Sequence, residues 1–189
     1  MKDIEKNQTA EETAKVLDIN PADLCIVRYP DPRLKQICTP LEKVDDSVLA
    51  VIDRMFELMF EYRGVGLAGP QVGLEVRLFV ASPTFDPGDR RVYINPEIIS
   101  SDGLQDGDEG CLSFPNISCR IKRKKVATIR AMGRDGEVFE ETGEDLLARI
   151  FQHETDHLNG QLLVDRMGTV AKLSNRRALK ELESAFASH

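Results

Sequence analysis

The sequence predicts an α+β fold in a single domain, with antiparallel strands packed around a central helix and a second helix at the C-terminus. Three observations predict it. Short β-rich segments cluster between residues 76 and 141, a helix-period segment follows them, and no repeat, low-complexity stretch or linker divides the chain. At 189 residues the chain suffices for one full-sized core and is short for two.

Taken in order, residues 1–20 carry three lysines against five Asp/Glu and no apolar core, so they read as a polar extension with Glu11 to Leu17 a candidate short helix. The domain itself is expected over residues 21–189. Ile26 to Tyr29 reads as a short strand stopped by Pro30-Asp31-Pro32. A helix capped by Asp45 or Asp46 follows, with Leu49, Ile52, Phe56, Met59 and Phe60 at helical spacing on a core-facing stripe and Gly64 at its end. Gly64 to Gly73 holds four glycines in ten residues and matches neither GxxxxGK[ST] nor GxGxxG, so composition alone makes it a loop that lets another backbone come close. Strands are expected at Val76 to Ala81, Arg91 to Asn95 and Ile98 to Ser100, the last two split by Pro96, with an acidic, turn-rich stretch from Asp102 to Gly110. Ile117 to Lys122, Val126 to Met132 and Glu137 to Glu141 complete the set, the last two joined by an Asp135-Gly136 turn. Thr142 with Asp145 forms a capping signature for the next helix, which Asn159-Gly160 closes. A final helix from Gly168 to Ala187 carries Val170, Leu173, Leu179, Leu182 and Phe186.

Composition narrows the function. Hydrophobic residues at 41% and charged residues at 30% describe an ordinary globular protein. The net charge of −7 argues against sequence-independent nucleic-acid binding by the body of the protein, and no direct DNA contact is expected. No apolar run is long enough to span a bilayer, and residues 1–20 resemble neither a secretory signal nor a transit peptide, so a cytoplasmic location is expected. The four cysteines lack a CxxC framework and read as thiols, with Cys25, Cys38 and Cys119 as small apolar fillers.

The chemistry is concentrated in Gln152-His153-Glu154-Thr155-Asp156-His157-Leu158, which holds two of the three histidines. On a helix His153 and His157 lie one turn apart and can share a metal ion, while Glu154 can reach a water on that metal. A catalytic site needs a third ligand and an open position. Cys111 in Glu109-Gly110-Cys111-Leu112-Ser113 is one source, and Asp165, Glu181 or Glu183 is another. His189, at the C-terminus, is a poor candidate. A closed zinc site completed by Cys119 or Cys38 is a further reading, opposed by the intact Glu154.

Three motifs in fixed order make the sequence resemble the peptide deformylase family: the loop Gly64 to Gln71, the segment Glu109 to Ser113, and Gln152 to Leu158. The resemblance runs from about Ile26 to Met167 and leaves the N-terminal extension outside. It implies one divalent metal held by Cys111, His153 and His157, typically Fe(II), with Zn, Ni or Co able to occupy the same site. It implies that Glu154 takes a proton from a water in the fourth position and delivers it to the departing amine, while the Gln71 amide and the Leu112 backbone N–H hold the oxyanion. The glycine loop then binds substrate as an added strand, with Val65, Gly66, Leu67 and Gly110 as contacts. The substrate is the N-formylmethionine end of a nascent chain. The readings that compete are an HExxH endopeptidase and a non-catalytic metal- or nascent-chain-binding relative.

Some positions depart from the commonest family pattern. Gly69 replaces a frequent alanine, and Arg149 stands where an apolar pocket residue is frequent, pointing outward or towards the peptide. Ser118 replaces an arginine often found seven residues after the cysteine, with Arg120 a possible substitute. Glu109 is expected to pair with Arg123 and brace the cysteine loop. Lys172, Arg176, Arg177 and Lys180 make the last helix basic; a solvated face is the default reading, and docking on ribosomal RNA is the alternative.

Overall fold

Strand pairing places the site. In a computed structural model describing residues 19–188, seven strands form two antiparallel sheets. The larger contains β1 (Gly66–Ala68), β2 (Leu78–Ala81), β3 (Arg91–Asp102), β6 (Val126–Met132) and β7 (Val138–Glu144), in the order β1-β2-β3-β6-β7. The smaller pairs β4 (Gln105–Gly110) with β5 (Ser118–Arg123). Helices are α1 (Asp46–Glu61), α2 (Asp145–Leu158), the short α3 (Leu163–Arg166) and α4 (Thr169–Ser174), and α5 (Arg176–Ala187). The candidate helix at Glu11 to Leu17 and the C-terminal His189 lie outside the described residues.

Period-two burial explains the sheets. Ala127, Ile129 and Ala131 of β6 face inward and pack with Phe151 and Leu158 of α2. Tyr93 of β3 stacks on Phe79 of β2 at 4.6 Å and meets Phe151 edge-on at 5.2 Å, which seats α2 on the sheet. On β5, Cys119, Ile121 and Arg123 share the buried face, so the strand's alternation carries a charged residue inward. α1 buries Val48, Val51, Ile52, Met55, Phe56, Leu58 and Met59 against β1 and β2. The Asp45 side chain caps it by accepting the Val48 N–H at 3.3 Å. Its end is a Schellman turn, with Gly64 N–H donating to Met59 O and Arg63 N–H to Phe60 O.

Several segments differ from expectation. Ile26 to Tyr29 is extended but not a strand: its Val27 and Tyr29 N–H groups donate to Gln71 O and Ser113 O, two separate loops, so no ladder forms. β3 runs unbroken through Pro96, because a register shift between Ile94 and Glu97 removes the need for an N–H there. The acidic stretch after Asp102 is largely β4, paired residue for residue with β5. Most of the glycine loop, residues 66–72, is ordered as β1 and the 3-10 turn Gly69–Val72. Thr142 caps nothing: it lies within β7, its hydroxyl bonded to that of Thr128, and Glu144 makes no side-chain cap. The final helix is broken at Asn175, whose amide donates to Ala171 O and Ser118 O. Val170, Leu173 and Phe186 are exposed there, and only Leu179 and Leu182 of the expected stripe pack against the body. Among the described residues, no helix is long and apolar enough to cross a membrane.

Candidate metal centre and active site

Three side chains from two elements converge. His153 and His157 are successive-turn neighbours on α2, their ring centroids 5.0 Å apart. Cys111 is delivered by the tight turn after β4, where Phe114 N–H donates to Cys111 O at 2.8 Å. The ligand atoms of Cys111, His153 and His157 all lie within 4.8 Å of one another, with Cys111 Sγ 3.3 Å from His157 Nε2. A thiolate with two imidazoles is a borderline-soft donor set suited to Fe(II), Zn, Co or Ni. Burial and the nearby His153 hold the His157 pKa well below its ordinary value, keeping it the neutral imidazole a ligand must be. Burial lowers His153 too, but its bonds to Cys111 and Glu109 outweigh this and raise it well above the ordinary value. A proton and a cation therefore compete for that ring.

Glu109 fixes the geometry. Its buried carboxylate accepts from Arg123 Nε and Nη2 at 2.8 and 2.9 Å, from Arg149 Nη1 at 2.7 Å, and lies 2.9 Å from His153 Nδ1. Burial alone would raise the Glu109 pKa, but the Arg123 and His153 bonds more than offset it and leave it well below the carboxylate range. His153 is thereby held by Nδ1, leaving Nε2 for a metal. Arg123 also pairs with Asp156 at 2.6 Å, and Asp156 with Arg166, so the bracing reaches from β4 through β5 to α3. The expected Glu109–Arg123 pair is present. Arg149 does not point outward: it is a buried part of the cleft wall, donating also to Ile121 O at 3.1 Å and Gln105 Oε1 at 3.1 Å.

Two further groups face the cluster. The Gln71 Oε1 accepts the Ala68 N–H at 2.9 Å, which turns its Nε2 towards Cys111 Sγ and Ser113 Oγ, each 3.3 Å away. Glu154 is buried, and its Oε2 has no hydrogen-bond partner among the described residues. Burial pushes its pKa up to about 7. Gly66 makes room for it: a Cβ there would press on Oε1 and lie 2.9 Å from Cδ. Gln71, Cys111, His153 and Glu154 open onto one cleft of about 680 Å³, walled on its apolar side by Val65, Leu112, Leu146 and Ile150.

The cleft sorts the expected residues. Val65, Gly66, Gly110 and Leu112 line it. Leu67 does not: alternation along β1 turns its side chain, fully buried, into the core around α1. Asp165 accepts the Leu162 N–H, Glu181 pairs with Arg177 and Glu183 accepts from Tyr29, so none of these carboxylates joins the cluster. Cys38 and Cys119 are buried in apolar clusters and supply no fourth ligand, while Cys25 is exposed rather than a filler. Ser118 lies on the cleft, but Arg120 is turned away to Asp106. Sequence reasoning missed Arg28 and Arg63, which line the cleft from segments with no motif to mark them.

The chain matches the family model "Polypeptide deformylase" over residues 24–173. It is 43% identical over 162 residues to a peptide deformylase of Acidobacterium capsulatum, covering 85% of this chain and 95% of that one. The crystal structure of a peptide deformylase from Legionella pneumophila aligns with a TM-score of 0.81 at 41% identity, covering 88% of this chain and 98% of the other. A plant peptide deformylase, PDF1B, aligns at 0.84 with 40% identity, covering 87% and 91%.

Proposed function

This chain belongs to the polypeptide deformylase family, and from that premise we propose that it hydrolyses the formyl group from N-formylmethionine at the N-terminus of newly made polypeptides. The observation that carries the reading is the convergence of Cys111, His153 and His157 beside a buried Glu154, whose Oε2 has no partner among the described residues, and an oriented Gln71 amide. Cys111, His153 and His157 would hold a divalent cation, which would supply Lewis acidity towards a water and the formyl group. Fe(II) is the proposed cation, which suits the thiolate donor and makes the site oxidisable.

The chain's own residues do the rest. Glu154 accepts the proton of the attacking water and returns it to the amine nitrogen as the formyl carbon–nitrogen bond breaks. Its raised pKa suits a group that must both take and give a proton near neutrality. Gln71 Nε2 and the Leu112 N–H donate to the oxyanion. β1 is an edge strand of the larger sheet, so the backbone of Gly66 and of Val65 just before it can take the peptide as an added strand, in a cleft that Gly110 also lines. Val65, Leu112, Leu146 and Ile150 offer an apolar pocket to the methionine side chain.

Two finer assignments go with this reading. The domain starts near residue 21, after a polar N-terminal extension, and the protein works in the cytoplasm, where nascent chains emerge. Ribosome contact through the basic surface of α4 and α5 is supported by Lys172, Arg176 and Lys180, with Arg177 partly neutralised by Glu181. Failure to pellet with ribosomes at low salt would remove that contact.

The reaction is tested by purifying the protein anaerobically with Fe(II) and measuring amine release from a formyl-Met tripeptide. Glu154→Ala should keep its metal and lose the activity. A fully metallated parent that releases no amine would leave only a binding role.

A further inference from the structure

Two arginines stand unpaired on the cleft. Arg28 and Arg63 both line it, both are exposed, and neither side chain has an ion-pair or hydrogen-bond partner among the described residues. The chain's other cleft arginine, Arg149, is committed to Glu109. In a protein of net charge −7, most arginines are expected to find carboxylates, so two free ones beside a single cleft run against composition. They also come from unrelated elements: Arg28 from the extended segment tied to Gln71 and Ser113, Arg63 from the end of α1.

The backbone at Arg63 adds an independent observation. It is the left-handed residue of the Schellman turn, with φ of 58°, a position where glycine avoids a steric penalty. An arginine kept in a conformation that favours glycine points to a use for its side chain. Compensation of the α1 C-terminal dipole is one use, but it gives no reason for the second arginine. Of the carboxylates on the same cleft, Glu109 is neutralised by its arginines and Glu154 lies deep within, leaving Asp108 as the one exposed acid. The rim is therefore net positive.

We propose that Arg28 and Arg63 form a specificity subsite for acidic side chains at the second and third residues of the formylated peptide. This rests on the deformylase reading, in which the peptide lies in the cleft that these two groups line. Guanidinium pairs with a carboxylate in a fork geometry that neutral side chains cannot match, and a lysine in the peptide would be repelled.

The test uses metal-loaded enzyme and formyl-Met-Xaa-Xaa-Ser amides, with Xaa as Glu, Gln or Lys. Blocking the C-terminus removes its competing carboxylate. An exposed pair is worth about two- to five-fold, so two arginines should separate Glu from Lys peptides by about ten-fold in kcat/KM, mainly through KM. In 0.5 M NaCl the ratio should fall towards one. Arg28→Gln/Arg63→Gly should bring the ratio near one at low salt, and Arg63→Gly alone should keep or raise the melting temperature while lowering the ratio. Equal rates for all three peptides would overturn the subsite and leave the deformylase reading intact. A ratio that survives in the double variant would overturn it too, assigning the preference to the wider field of the protein. Cleavage of none of the peptides would overturn both.

Discussion

An alanine at position 66 should cripple the reaction without touching the metal ligands. Its Cβ would press on Glu154 Oε1 and sit 2.9 Å from Cδ. Carbon atoms in contact need about 3.5–4.0 Å, so the carboxylate must retreat by roughly 1 Å. Glu154 is 4% exposed, and α2 is locked to the sheet by Phe151, so the retreat meets packed atoms. Overpacking of this kind costs about 1–3 kcal/mol of stability. A displacement of about 1 Å in a reacting group costs on the order of 100-fold in rate. The assay is kcat on a formyl-Met peptide, with metal content and urea unfolding measured on the same preparation. Gly143→Ala is the control: its Cβ would lie 2.7 Å from Leu147 Cγ and 3.0 Å from Phe151 Cε2, giving comparable strain away from the reacting atoms. Adding Glu154→Asp to Gly66→Ala should relieve the clash and restore stability but not rate. A Gly66→Ala enzyme with normal metal and kcat within about two-fold of the parent would refute the argument.

Other consequences follow from the buried charges and thiols. Arg123→Met strips Glu109 of its bidentate partner and should cost about 3–5 kcal/mol, read as a lower denaturation midpoint; a loss below about 1 kcal/mol would show that the network braces nothing. Because the folded pKa of Glu109 is depressed, its stabilisation is complete above the unfolded carboxylate range near 4.3 and disappears as pH falls below it towards the folded value. The midpoint of the parent should therefore drop between about pH 5 and pH 3, and Arg123→Met should flatten that limb; equal slopes would contradict the assignment. Thiol labelling at pH 8 should modify exposed Cys25 quickly and spare Cys38, which burial pushes up to about 12. Stripping the metal with a chelator should add one reactive thiol, Cys111, and a count unchanged by chelation would argue that Cys111 is no ligand.

The sequence exposes the site better than the framework that carries it. The grouping of His153 with His157 is legible because helical spacing alone puts two candidate ligands on one face, and that of Cys111 because the family's cysteine motif accompanies them. The caps at Asp45 and Asn159-Gly160 are legible for a similar reason, since they depend on local backbone needs. What sequence obscures is set by distant partners. Asp102 to Gly110 looks like a loop because its acids and glycines have poor strand propensity, yet pairing with β5 and the cations on Arg123 and Arg149 make a strand of it. Arg149 reads as a surface residue because its buried partners lie more than twenty residues away in the chain. Leu67 stands between residues that line the cleft, but strand alternation turns its side chain into the core.

The central claim is that Cys111 completes a metal site with the two histidines of α2. It is tested most directly by metal stoichiometry and deformylation rate in anaerobic Cys111→Ala. With one ligand of three removed, bound metal should fall well below one per chain and formyl-Met peptide cleavage should be lost. A variant that keeps a full equivalent of metal and its activity would contradict the account and return the third ligand to a carboxylate, as in an HExxH endopeptidase.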